Sequence, residues 1–110
     1  MSNQKKAESG KQTTEIKNSP AFLTVFDRVA DERLRQRALF VAGQITFDVG
    51  SPLPDANRKL RVLAEEVGEV AEAIDFLEEK NCAGRREHLR TELIQVAAVA
   101  VAWLESLEVA

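Results

Sequence analysis

Glu66 and Glu69 stand three residues apart in one stretch of this chain, and Glu92 stands three residues before Gln95 in another. In a helix, positions three and four apart share a face. Val62, Glu66, Glu69, Ala73 and Phe76 therefore form one stripe, and His88, Glu92, Gln95, Val99 and Ser106 form a second. Each stripe sets carboxylates among apolar neighbours, while Arg61, Glu72, Asp75 and Glu79 mark the fully solvated face. A carboxylate withdrawn from water without a partner is costly or takes up a proton, and neither stripe holds a Lys or Arg. A divalent cation resolves that conflict, and Mg²⁺ or Mn²⁺ prefers such an all-oxygen shell. The same spacing also suits a solvated face, or glutamates paired with arginine from a neighbouring helix.

These side chains need helices to carry them. Leu60, Leu63, Val67, Val70, Ile74 and Leu77 follow at alternating three–four spacing, which predicts a helix from Asp55 to about Lys80 with a core-facing seam. Leu89, Leu93, Val96, Ala100, Leu104 and Leu107 predict another, from about Arg86 to Leu107. In its run from Leu93 to Leu104, Gln95 is the one polar residue, too short a run for a bilayer and suited to a bundle core. Asn81 to Gly84 reads as the turn between them, with Gly84 free to take positive φ. Ser19 followed by Pro20 reads as an N-cap and first helical position. The stretch from there to about Phe47 suits helix, either one or two joined near Asp31, with Leu34, Ala38, Val41 and Ile45 on one face and Gly43 weakening the C-terminal part. Asp48 to Pro54 holds a Gly and two prolines and is the clearest break.

Composition sets the outer limits. With 110 residues there is room for one domain: a disordered polar tail over 1–18, then a single unit over 19–110. Five Gly and three Pro are too few for the turns of a β-sandwich or barrel. The expected class is all-α, a bundle of three main helices plus short segments. The single Cys82 excludes an intramolecular disulfide and gives zinc no support. Net charge is −3, and the part after residue 20 holds 11 basic against 16 acidic side chains, so DNA is not an expected partner. Neither a membrane span nor a signal peptide is expected from the apolar runs, which points to a cytoplasmic protein. The last helix is too apolar for one small core to cover, which points to a homodimer or a dimer of dimers.

The string Leu63-Ala-Glu65-Glu66-Val-Gly-Glu69-Val-Ala-Glu-Ala-Ile74, followed by Glu92-Leu-Ile-Gln95, resembles the motif pair of the MazG-like nucleoside triphosphate pyrophosphohydrolases. These belong to the all-α NTP pyrophosphatase superfamily, whose pattern is Glu-Glu-x-x-Glu and then Glu-x-x-Asp. The resemblance covers roughly residues 31–107, and Glu32 to Gln36 looks like the leading helix of small members. It implies four-helix units completed by dimerisation. It also implies Mg²⁺-dependent hydrolysis of a (deoxy)nucleoside triphosphate to monophosphate and pyrophosphate.

Carried over by position, Glu66, Glu69 and Glu92 would ligate metal, with Gln95 in the fourth place where the pattern has Asp. Glu65 would help position or deprotonate the attacking water. Triphosphate needs cationic contacts beyond metal, for which Lys59, Arg85, Arg86 and His88 are candidates. Gln44 and Phe47 are candidates for a base pocket. Two other readings stay open: a related phosphoribosyl-ATP pyrophosphohydrolase, and a catalytically silent helical dimer that senses nucleotides or serves as an interaction module.

Overall fold

The computed structural model describes residue 10 and residues 13–52 and 55–108. Three long helices carry the fold: α1 (Pro20–Val41), α2 (Ala56–Glu79) and α3 (Ala83–Glu108). No strand occurs among the described residues, so the chain is all-α. None of the described helices is long and apolar enough to cross a membrane. A short exposed helical stretch at 13–17 precedes α1, within the polar segment 1–18. Residues 1–9, 11, 12, 53, 54, 109 and 110 lie outside the described residues.

The caps follow local chemistry. Ser19 Oγ accepts from the Phe22 N–H at 3.1 Å, with Pro20 in the first turn where no N–H is needed. Asp55 Oδ1 accepts from the Arg58 N–H at 2.8 Å and starts α2. α1 stops six residues short of the expected Phe47. Gly43 adopts φ 75°, and the Gly43 and Gln44 N–H groups turn back to the Phe40 and Leu39 carbonyls at 3.0 and 2.9 Å. That pairing is a Schellman cap, and it needs a residue tolerant of positive φ. Gly84 plays no such part: it lies in the first turn of α3, and Gly43 is the one described residue with positive φ.

α3 is central, with α2 antiparallel on one flank and α1 packed on another, and α1 does not reach α2. The faces that meet are the mixed stripes. Ala73, Ala98, Val99, Ala102 and Ser106 are buried, their small side chains letting the helices approach closely. The leucine seams do not form the core that was expected of them. Leu60 is 53% exposed and Leu104 62%, with Val67, Ile74, Leu93 and Leu107 also exposed. On α1, Leu34 and Val41 are likewise exposed, and Ile45 lies beyond the helix end. Periodicity marks a face for burial without saying which surface covers it. The radius of gyration, 17.4 Å, shows the consequence; a compact chain of this length would have roughly 13 Å.

The segment between α1 and α2 is pinned from below. Asp48 is buried and accepts two bonds from Arg33, at 2.9 and 3.2 Å, and one from Arg37 at 3.1 Å. Arg33 Nε donates to Glu105 of α3 at 3.1 Å. Lys59 is only 4% exposed, and its Nζ donates to the Ser51 carbonyl at 2.8 Å and to Ser106 Oγ at 2.7 Å. Gly50 passes so near Arg33 that a Cβ there would meet Nη2 at 1.9 Å. This polar latch delivers Val49 into the core beside Val99 and Ala102.

Candidate functional site

The antiparallel pairing of α2 and α3 sets Glu66 across from Gln95 and Glu69 across from Glu92. One carboxylate oxygen from each of Glu66, Glu69 and Glu92 lies within 4.8 Å of the other two. The carboxyl of Glu66 is pushed up to about 7, first by burial and then by the charges of Glu69, Glu92 and Glu32. Burial and a hydrogen bond with Glu69 also raise Glu92. With its carboxamide nitrogen facing the acids, Gln95 donates to Glu92 Oε2 at 3.1 Å and to Glu66 Oε2 at 3.2 Å. Three carboxylates so close, with one held near neutral pH, form an oxygen-donor set of the kind a hard divalent cation takes.

Beside Glu66 and Gln95 opens a slot of about 200 Å³. Its apolar wall includes Leu39, Ile45, Phe47, Val62 and Val99, and its polar edge Glu32, Arg35 and Gln36 of α1. The latch described above fixes the loop that carries Ile45 and Phe47. Arg58 caps the Phe47 ring at 4.2 Å, holding it from the solvent side. Slots of this size hold one ring system; drug-sized ligands take about 300–1,000 Å³.

Of the residues singled out in the sequence, Glu66, Glu69, Glu92 and Gln95 come together, and Phe47 lines the adjoining slot. His88 stands at the far end of the cluster, Nε2 3.9 Å from Glu92 Oε1, its ring edge-on to Phe76. Arg85 lies flat on Phe76 at 3.7 Å and donates to the Phe76 carbonyl at 2.7 Å. Arg86 turns to Asn81. Lys59 is turned into the latch, away from the slot lining. Gln44 is exposed in the α1 cap and does not line the slot. Glu65 is exposed, about 100° around α2 from Glu66, outside both cluster and slot.

Sequence reasoning missed the α1 contribution. Glu32, Gln36 and Leu39 share one helical face at four–three spacing, the same signal that singled out the α2 stripe, but nothing in the spacing told which helix would face the acids. The search for a cation on the two stripes also overlooked Arg35, whose charge feels Glu66 across the slot. No family model, curated protein or solved structure matches this chain.

Proposed function

We propose that the protein hydrolyses a nucleoside triphosphate to the monophosphate and pyrophosphate with Mg²⁺ or Mn²⁺. The observation that carries this reading is the junction of a three-carboxylate cluster with a ring-sized apolar slot. The slot takes the nucleoside, and Glu66, Glu69 and Glu92 hold the metal. The bound cation would neutralise triphosphate oxygens and acidify the attacking water. In the reaction a water oxygen bonds to the α-phosphorus, the bridging oxygen leaves with pyrophosphate, and the water's proton passes to a carboxylate of the cluster. The place of Glu65 favours the cluster over that residue as proton acceptor. Phe47, Val62 and Val99 give the nucleoside its apolar contact, and the latch keeps the loop in place.

A second copy of the chain covers the exposed seams in this reading. The residues left open on α2 and α3 are leucine, valine and isoleucine at helical spacing, the pattern of a four-helix interface. Among the described residues the buried apolar set is five small or medium side chains, too few to stabilise a domain of this size alone.

One observation favours the silent alternative. Gln95 bridges Glu66 and Glu92 with its amide, which satisfies the acids without any metal. Calorimetric titration with Mn²⁺ separates the two. The hydrolase reading predicts saturable binding that disappears in Glu66→Gln; a silent bundle binds none and gains stability in that variant.

A further inference from the structure

We propose that Arg35 binds the α-phosphate of the substrate, oriented for that contact by Glu32. The proposal rests on the hydrolase reading above and adds to it a residue on the helix that neither acidic motif occupies. Arg35 is the one basic side chain lining the slot, where it shares the wall with Glu66 and Gln95. The phosphate joined directly to a nucleoside in that slot must emerge between the apolar wall and the carboxylates. Arg35 lines the slot together with Glu66.

The form of the ion pair sets it apart from an ordinary surface contact. Glu32 Oε2 accepts from Arg35 Nε at 2.8 Å, and Glu32 Oε1 accepts from Nη2 at 2.5 Å. The Glu32 carboxylate is 14% exposed and the Arg35 side chain 54% exposed. A buried anchor thus holds an accessible guanidinium by one edge. Nη1, with both of its protons, has no partner among the described residues. In the Arg90–Glu87 pair on α3, by contrast, both side chains are open to solvent at 58% and 52%. Arg35 also borders the shallow groove lined by Arg28, Thr91 and Ile94, so its free edge is reachable from outside. The guanidinium fork matches two phosphate oxygens, a fit that an ammonium lacks. An anchored fork also loses little rotamer entropy on binding.

The test compares binding of a nucleoside monophosphate with that of the same nucleoside, by calorimetry in Mg²⁺, for the intact protein and for Arg35→Ala. The intact protein is expected to bind the monophosphate more tightly than the nucleoside, and Arg35→Ala to lose about 10- to 100-fold of that preference. Arg35→Lys should recover only part of it. Because Arg35→Ala strands the Glu32 carboxylate, the double variant Glu32→Gln/Arg35→Ala is measured alongside, and the same loss is expected there. If the preference survives in both variants, Arg35 does not touch the phosphate and the inference fails while the hydrolase reading stands. If the intact protein binds neither metal nor nucleotide, both fall together.

Discussion

The Gln95 amide nitrogen lies 3.2 Å from Glu66 Oε2, and the same nitrogen reaches Glu92 Oε2 at 3.1 Å. A neutral amide thus joins the acids of two helices. It donates two hydrogen bonds to groups that otherwise repel, and it keeps the cluster assembled in the metal-free protein. A metal that binds here must take those oxygens from the amide. On the proposed function, Gln95 would therefore trade metal affinity for stability of the metal-free protein.

Replacing Gln95 by Asp reverses that trade. Two donors are lost and one negative charge is added, so Mn²⁺ affinity should rise roughly tenfold, from charge-assisted bonds of about 1.5–3 kcal/mol. In EDTA at pH 8 the same variant should unfold several degrees below the parent. Calorimetry and a thermal melt read both. Unchanged metal affinity would show that Gln95 is outside the ligand set.

The metal-free protein should lose stability as pH rises from about 4.5 towards 7. The Glu66 carboxyl is at about 7 in the fold and near 4.5 when unfolded. Across that window the folded state holds more protons than the unfolded one, so unfolding free energy falls with rising pH. Urea titrations in EDTA at pH 5 and pH 7.5 measure the slope. Glu66→Gln should flatten it, and saturating Mn²⁺ should raise stability most at the alkaline end.

Asp48→Ala should destabilise the fold by about 3–5 kcal/mol, because it leaves Arg33 buried with its carboxylate gone. Gly50→Ala should act in the same direction by about 1–3 kcal/mol through overpacking against Arg33. Both loosen the loop that carries Phe47, so nucleoside affinity should fall as well. Denaturant curves and nucleoside titration check the pair of effects.

Lys59 belongs to the latch, although its sequence position also suited a phosphate contact. Lys59→Met should lower stability by about 1–3 kcal/mol through loss of the Lys59 bonds to the Ser51 carbonyl and Ser106 Oγ. The salt dependence of triphosphate binding should be that of the parent. A flatter salt dependence would return Lys59 to the phosphate site.

The helices and the acidic cluster were legible because each depends on local spacing. Asp55 and Ser19 capped where their types and positions indicated, and Glu66, Glu69, Glu92 and Gln95 converged as two stripes at one height. Gly43 was legible as a weak point of the first helix but not as its end, since Ile45 and Phe47 continue a plausible apolar pattern and the Schellman cap depends on φ. The leucine seams were misassigned because Leu60 and Leu104 carry the same signal whether they meet their own chain or another. The α1 edge of the slot was hidden for a different reason. Arg35 shares the slot with Glu66 only because α1 and α2 flank α3 with a gap between them, a tertiary fact that no spacing within one helix encodes.

The central claim is tested most directly by pyrophosphate release from the purified protein with Mg²⁺ or Mn²⁺. The panel should hold the standard NTPs and dNTPs together with phosphoribosyl-ATP, and Glu66→Gln should run beside the parent. The account predicts metal-dependent release from at least one nucleotide, stopped by EDTA and lost in the variant. A folded protein that releases no pyrophosphate from any of them, or a Glu66→Gln variant that releases it as fast as the parent, would contradict it.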